Sequence, residues 1–141
     1  MHALIKTLLY IFAFIVLGIG ASIVLIGPAA TATFFAGIYN GITGGDLLPT
    51  GFESPDVDNE FRFYSVFWLA FGVMLFRAAA TFPESAKLVF TLMGIFCLGG
   101  LFRLLSIWQM GPPHGMFQFL MWVELGVPVL LSLLVVSTQR R

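Results

Sequence analysis

The sequence has very little charge. Of its 141 residues, 10% are Asp, Glu, Lys or Arg, while 59% are hydrophobic. Soluble domains carry about 25% charged residues, so this chain lacks the polar surface that coats a soluble fold. Its seven basic and seven acidic residues give a formal net charge of zero. Because binding to nucleic acid depends on an excess of positive charge, we expect no nucleic-acid partner.

Cysteine and histidine are also scarce. The single Cys97 excludes an internal disulfide and CxxC redox chemistry, and its apolar surroundings predict a small core residue. The two histidines, His2 and His114, are far apart, and the chain has no HExxH, Cys/His cluster or GxSxG motif. We therefore expect no metal site, no cofactor and no assigned catalytic residue. The pattern favours a non-enzymatic protein but does not decide the question.

What the chain does contain is four long apolar segments. A membrane-spanning helix needs about 20 predominantly apolar residues. The fold class predicted is therefore all-α, an integral membrane four-helix bundle in which residues 1–141 form one domain. The predicted spanning helices cover about 4–27, 55–80, 82–110 and 114–138.

The first apolar segment has a competing interpretation. Ala30-Thr31-Ala32 resembles the cleavage site of a secretory signal peptide. However, the preceding run is longer than the h-region of about 7–15 residues that signal peptides use. A spanning helix is therefore the favoured interpretation. Gly18 and Ser22 place two small residues on one face of it, a weak indication of close helix contact.

The connection 28–53 is long and rich in glycine, and two interpretations of it stay open. Residues 32–42 fit a short helix at the membrane interface, with apolar and aromatic anchors Phe34, Phe35, Ile38 and Tyr39. The Gly37–Gly41–Gly45 spacing is compatible with helix packing, but a glycine-rich loop after an interfacial turn is the simpler explanation. No phosphate-binding motif is present, because the glycines precede no GK[ST].

The boundaries of the next two helices have recognisable signals. Ser54 is suited to cap the second helix, Pro55 fits its first turn, and the acidic residues that follow face the positive end of the helix dipole. Thr81 and Glu84 have the spacing of a capping box, which predicts the start of the third helix. Gly111-Pro112-Pro113 is expected to end it.

The distribution of charge predicts the orientation in the membrane. Basic residues cluster at one side of a four-span topology: Lys6, Arg77, Lys87, Arg140 and Arg141. Acidic residues cluster at the other: Asp46, Glu53, Asp56, Asp58 and Glu60. Cytoplasmic loops carry an excess of Lys and Arg. We therefore expect a multi-pass protein of a bacterial inner membrane with both termini in the cytoplasm.

Charges inside the spanning segments are the sharpest feature. Arg103 and Glu124 lie roughly 10 and 15 Å from the turn shared by the third and fourth helices, at the helical rise per residue. An isolated charge near the bilayer centre costs about 2.5–3.5 kcal/mol on insertion scales, so we expect the two to pair. A polar cluster is predicted in the outer half of the bundle: Asn59, Glu60, Arg62, Arg103, Ser106 and Glu124.

Three interpretations of this cluster stay open. A closed salt-bridge network would fix the helix packing. An open cluster would bind an anionic lipid headgroup or another amphiphile, because Arg suits carboxylate and phosphate. A carboxylate pair of Glu60 and Glu124 would support proton chemistry, although Arg62 and Arg103 favour the ionised forms. Pro128 cannot donate a hydrogen bond to the Glu124 carbonyl, which predicts either a kink that lines a cavity or a simple packing kink. Tyr64, Ser65, Gln109, His114 and Gln118 are expected at the outer rim.

Taken together, NEFRFYSVFWLAFGVMLF, GGLFRLLSIWQMGPP and VELGVP resemble a bacterial membrane protein family filed as domain of unknown function 4345. The resemblance covers residues 59–128 and implies a small four-helix inner-membrane protein without an established activity, substrate or cofactor. It rests on Asn59, Arg62, Arg103, Ser106, the Gly111-Pro112 turn, Glu124 and Pro128. The architecture is also broadly similar to DoxX-type four-helix membrane proteins, a weaker likeness.

The function favoured by the sequence is a small membrane module whose polar cluster binds a lipid headgroup or amphiphile, or locks the bundle. Membrane lipid is the expected partner, and a membrane-protein partner or a homo-oligomer stays open. One alternative is an accessory subunit of a larger membrane complex. Another is a lipid-modifying enzyme or proton-coupled carrier that uses Glu124.

Overall fold

The computed structural model describes residues 1–139, and all regular structure in that range is helical. Four of the five helices are long and apolar enough to cross a membrane, namely α1, α3, α4 and α5. This confirms the prediction of an all-α membrane bundle. Arg140 and Arg141, which entered the orientation argument, lie outside the described residues. The helices are α1 His2–Ile26, α2 Pro28–Thr43, α3 Pro55–Ala80, α4 Ala86–Met110 and α5 Gly115–Gln139.

The glycine-rich connection is more helical than the simpler interpretation allowed. After α1, Gly27 has a φ of 87°, and Pro28 starts α2 at once. Proline fits this position because the first N–H groups of a helix have no partner inside the helix. The helix ends at Gly44, which adopts the left-handed conformation that glycine tolerates best. An extended loop is found only from there to Ser54.

The start of α3 follows the sequence signals, whereas the start of α4 does not. The Ser54 hydroxyl accepts a hydrogen bond from the Val57 N–H at 3.2 Å, and Pro55 opens the helix. The predicted capping box at Thr81 is wrong, because the Thr81 hydroxyl donates to the Arg77 carbonyl of the preceding helix. Ser85 bridges the turn by donating to the Ala78 carbonyl at 2.7 Å. As a result α4 begins at Ala86 rather than near residue 82.

The bundle consists of two closely packed helix pairs, α1 with α3 and α4 with α5, that contact each other far less. Glycines make the close approach within each pair possible. A Cβ at Gly72 would lie 2.6 Å from Cγ of Leu17, and one at Gly20 would lie 3.1 Å from the Leu69 side chain. In the second pair, a Cβ at Gly100 would lie 2.9 Å from Leu125. Gly18, by contrast, has no atom of another element near it.

The hydrophobic core fills only one end of the bundle, where the N-terminus, the α3–α4 turn and the end of α5 meet. Phe82, at 1% exposure, lies in this turn with its ring 5.6 Å from that of His2. The two helix pairs are therefore joined firmly at this closed end. At the opposite, open end they diverge, and α2 covers part of the gap between them. The core comprises Ile5, Leu9, Ala13, Val16, Leu75, Ala78, Ala79, Phe82, Ala86, Val89, Leu92, Met93, Leu131 and Val135.

We predict that Gly72→Ala destabilises the protein and that Gly94→Ala does not. The added methyl at Gly72 collides with Leu17, and such overpacking costs about 1–3 kcal/mol. Gly94 is also in a spanning helix, but a Cβ there meets no atom within 4 Å. Thermal unfolding in one fixed detergent measures the difference. Equal midpoints for the two variants would show that α1 and α3 do not pack as closely as described.

Candidate functional site

An apolar chamber of about 660 Å³ lies between the two helix pairs toward the open end. All five helices contribute to its wall. On α1 the lining residues recur every three or four positions from Leu8 to Ile23, so one face of that helix borders the chamber over most of its length. Phe12, Trp68 and Phe96 form an aromatic wall, with the rings of Phe12 and Phe96 4.7 Å apart. Arg103 and Glu124 are the charged residues among the described residues that line the chamber.

A second, more polar space continues from the chamber toward the open end. This vestibule has a volume of about 1130 Å³ and lies between the loop after α2 and the α4–α5 turn. It includes Asp46, Ser106, His114 and Gln118. The chamber and the vestibule border each other, because six residues line both: Tyr39, Thr43, Phe52, Phe61, Arg103 and Phe117.

Arg103 and Glu124 form an ion pair where the two spaces meet. Nε of Arg103 donates to Oε2 of Glu124 at 2.8 Å. The glutamate side chain is 6% exposed and the arginine side chain 34% exposed. Gly99 and Gly100 on α4 leave room for Glu124, whose Oε2 would lie 3.7 Å from a Cβ at Gly99. The absence of side chains at these glycines allows α5 to bring a carboxylate within reach of Arg103.

The ion pair does not use all of its hydrogen-bonding groups. Within residues 1–139, Nε is the nitrogen of Arg103 that donates to a protein atom, and Oε2 is the oxygen of Glu124 that accepts. No fully shielded side-chain nitrogen or oxygen in that part of the chain lacks a partner. The two terminal guanidinium nitrogens and Oε1 of Glu124 therefore keep some exposed surface, and both residues line the chamber. The pair leaves both donors and an acceptor available to a ligand.

The structure does not place Arg62 with Arg103 and Glu124. Its Nε and Nη2 donate to the carboxylate of Asp58 at 2.7 and 3.2 Å, and Nη1 donates to the Val24 carbonyl. That carbonyl belongs to the last turn of α1, where carbonyls have no partner inside the helix. The Arg62–Asp58 pair also lies against Gly27, where a Cβ would be 3.0 Å from the guanidinium. Arg62 thus fastens α3 to the α1–α2 turn.

The other predicted members of the cluster are more dispersed. Asn59 and Glu60 are exposed residues of the first turns of α3, and neither lines the chamber or the vestibule. The hypothetical carboxylate pair of Glu60 and Glu124 therefore has no geometric basis. Ser106 is exposed but lines the vestibule one turn beyond Arg103. Of the six predicted residues, the structure brings together Arg103, Glu124 and, at the edge, Ser106.

The predicted rim residues also separate into two groups. His114 and Gln118 line the vestibule, and Tyr64 lines the chamber. Ser65 is buried and donates to the Arg62 carbonyl at 2.7 Å, while Gln109 is exposed. Pro128 is buried inside α5, which continues without interruption past it to Gln139.

Two hydrogen bonds hold the vestibule loop in place. The carbonyl of Leu47 accepts from the side-chain amide of Asn40 at 2.6 Å and contacts Nε2 of His114 at 2.8 Å. Nδ1 of His114 accepts from the Met116 N–H at 3.2 Å. Because that nitrogen is an acceptor, the proton of a neutral imidazole lies on Nε2, which then donates to Leu47. His114 therefore links the start of α5 to the loop.

Sequence reasoning missed the contribution of α2 to the site. Tyr39 was interpreted as an interfacial anchor, but it lines both spaces, and its hydroxyl would lie 2.8 Å from a Cβ at Gly115. Thr31, Phe35 and Ile42 line the chamber as well. Phe35 follows Thr31 by four positions and Ile42 follows Phe35 by seven, so the three residues lie on one face of a helix. This helical spacing was the sequence signal for α2, and it was given less importance than the glycines.

The wall of the chamber is incomplete between α5 and the pair of α1 and α2. Contacts across this gap are few. Several lining side chains bordering it are about half exposed, including Ile15 at 55%, Ile38 at 49% and Phe119 at 56%. These residues belong to apolar helices, and the few contacts across the gap leave the chamber without a complete wall of protein there.

The sequence matches a known protein family. The family model described as "Domain of unknown function (DUF4345)" matches residues 4–135, which is nearly the whole chain and includes Arg103 and Glu124. No curated protein and no solved structure matches the sequence.

We predict that Arg103 and Glu124 are strongly coupled in stability. Removing one partner of a buried ion pair costs about 3–5 kcal/mol because the other charge is left without compensation, and the partial exposure of Arg103 favours the lower end of that range. Arg103→Leu and Glu124→Leu should each lower the unfolding midpoint markedly. The double variant should lose less than the sum of the two. A strictly additive loss in this double-mutant cycle would contradict the ion pair.

Proposed function

Because the chain belongs to the DUF4345 family, whose description names no activity, we propose its function from the geometry of the site: it binds a membrane amphiphile. The hydrocarbon chain of that molecule lies in the chamber, and its polar headgroup lies in the vestibule beside Arg103. The protein is a multi-pass membrane protein, so such a ligand is available from the surrounding bilayer.

One observation carries this proposal, namely that an apolar chamber and a polar vestibule border each other at Arg103. An amphiphile has the same division into an apolar and a polar part. A purely apolar ligand would leave the accessible donors of Arg103 without partners, and this costs free energy in a low-dielectric environment. A small polar ligand would leave the chamber unfilled.

The dimensions of the chamber suit one hydrocarbon chain. Leu8 and Ile23 bound its lining on α1, and their separation of 15 positions corresponds to about 22 Å of helix. The hydrocarbon core of a bilayer is about 30 Å thick, so a single lipid chain spans roughly half of that. The chamber is therefore long enough for the full chain of a membrane lipid.

The accessible atoms of the ion pair support an open site over a closed salt bridge. In a pair whose sole role is to lock the bundle, we expect the remaining guanidinium donors to contact other protein acceptors. Here the terminal nitrogens of Arg103 and Oε1 of Glu124 have no protein partner among residues 1–139 and keep some exposed surface. The opening between α5 and the α1–α2 segment would allow the ligand to enter directly from the membrane.

We predict that the purified protein retains a molecule of lipid mass in native mass spectrometry. The protein is exchanged into mild detergent with a total membrane lipid extract. Val123→Trp, which fills the chamber, should abolish the adduct, and Arg103→Ala should reduce it by about tenfold or more, because a hydrogen bond to a charged group is worth about 1.5–3 kcal/mol.

Val129→Trp is the matched control for this experiment. Val129 is on the same helix, is 56% exposed and does not line the chamber, so this variant should retain the adduct. Absence of any lipid adduct from the parent protein would contradict the proposed function. Equal retention by the Val123 and Val129 variants would place the lipid elsewhere.

We further infer that the vestibule faces away from the cytoplasm of a bacterial inner membrane. Lys6, Arg77 and Lys87 lie at the closed end of the bundle, whereas Asp46 and Glu53 lie in the loop at the open end. The excess of basic residues on the cytoplasmic side of membrane proteins supports this orientation.

We predict the orientation from thiol labelling in intact cells, on a Cys97→Ala background. Thr50→Cys, in the vestibule loop, should react with a membrane-impermeant maleimide. Glu84→Cys, in the α3–α4 turn, should react only after the cells are permeabilised. Both side chains are exposed, so access to the protein surface is matched. The reverse pattern of labelling would refute the proposed orientation.

A further inference from the structure

The charges that line the site restrict the kind of headgroup it accepts. We infer that the headgroup is zwitterionic, with an oxygen acceptor for Arg103 and an ammonium group for Asp46 and the aromatic side chains that line the same vestibule. This inference rests on the proposed function, because it assumes that an amphiphile occupies the chamber. It adds the chemical class of the headgroup.

Acidic residues outnumber basic residues in the lining of the site. Among residues 1–139, Arg103 is the only basic residue, Lys or Arg, that lines the chamber or the vestibule. Two carboxylates line them, Glu124 in the chamber and Asp46 in the vestibule. With histidine counted as neutral, the formal charge of the lining is therefore −1. An anionic headgroup would have to share a single arginine with Glu124 and approach a second carboxylate.

Arg103 retains donors for a ligand. Its Nε is committed to Glu124, whereas the terminal nitrogens of the guanidinium group have no protein partner among residues 1–139 and belong to a residue that lines both spaces. The ring of Phe117 lies 5.9 Å from the guanidinium carbon and covers part of this group. The free edge of the guanidinium group presents N–H donors in a planar arrangement that matches a phosphate or carboxylate. The headgroup therefore carries an oxygen acceptor.

The vestibule also contains groups that suit a cation. Asp46 supplies a negative charge in the vestibule. Aromatic side chains surround the junction of the two spaces, with the Phe52 ring 5.4 Å from that of Phe61 and 5.8 Å from that of Phe117. Tyr39 borders the same junction. Aromatic faces attract ammonium groups, most strongly where water is displaced.

A zwitterionic headgroup satisfies Arg103 and Asp46 at once. Its oxyanion lies against the guanidinium group, and its ammonium group lies against Asp46 and the aromatic rings. An anionic headgroup would satisfy Arg103 alone and be repelled by Asp46. An uncharged headgroup can accept a hydrogen bond from Arg103, but it would gain neither an ion pair with the guanidinium group nor a cation–π contact.

The test compares three single-chain amphiphiles that carry the same acyl chain and differ in the headgroup. They are lysophosphatidylethanolamine, which is zwitterionic, lysophosphatidylglycerol, which is anionic, and monoacylglycerol, which is uncharged. Each is titrated against the purified protein in mild detergent, and native mass spectrometry measures the bound fraction. We expect the zwitterionic lipid to bind about fivefold or more tightly than either of the others, in the range expected for one or two such contacts.

Two variants assign the preference to the vestibule. Asp46→Asn should reduce the ratio of zwitterionic to anionic binding by about three- to fivefold, as removal of one partly exposed ionic contact does. Asp56→Asn is the matched control, because Asp56 is also an exposed aspartate near the open end but lines neither space. This control should keep the parental ratio. Both substitutions are at exposed positions, so folding of the protein is expected to be unaffected.

The outcomes separate this inference from the proposed function. Binding of all three lipids with similar affinity, or a preference for the anionic lipid, would overturn the zwitterionic assignment while leaving an amphiphile site. An unchanged ratio in Asp46→Asn would also overturn it. If none of the three lipids binds and the lipid extract yields no adduct, the proposed function fails and the inference fails with it.

Discussion

The Arg103–Glu124 ion pair is the interaction on which the rest of the site depends. Two charges in apolar helices are tolerated because each compensates the other, and their contact at 2.8 Å fixes α4 against α5 at one depth. The glycines at 99 and 100 make that contact sterically possible. Since the pair leaves further donors and an acceptor accessible, the same residues that hold the helices together remain able to recognise a ligand.

The uneven packing of the bundle explains how such a small protein contains a chamber. Close contacts within the α1–α3 and α4–α5 pairs, and a core confined to the closed end, stabilise the fold without filling the open end. At the open end α2 contacts both helix pairs, through α1, α3 and α5. Arg62 holds this arrangement by joining α3 to the Val24 carbonyl in the last turn of α1, next to the Gly27 turn. Arg62 and Arg103 thus have different roles.

The fold was largely predictable from sequence, whereas the membership of the site was predictable only in part. Apolar length identified four spanning helices, and Ser54 marked the start of α3. Helix depth alone suggested the Arg103–Glu124 pair. Arg62 was wrongly predicted to join Arg103 and Glu124. Its sequence position gives its depth along the bundle but not the direction in which it leaves the helix axis. Asp58, one helical turn away, is a nearer partner. The helix at 28–43 was underestimated because its glycines were given more weight than its apolar face.

By itself, the sequence determined that this chain has membrane-spanning helices and that these helices contain charges in need of partners. Both follow from transfer free energies, which depend on composition along the chain. Tertiary structure alone decided that the charges divide into two clusters, that α2 forms a wall, and that a chamber opens beside Arg103. These features depend on rotation about each helix axis and on distances between separate helices. Contacts between residues far apart in the chain, such as Tyr39 near Gly115, determine both.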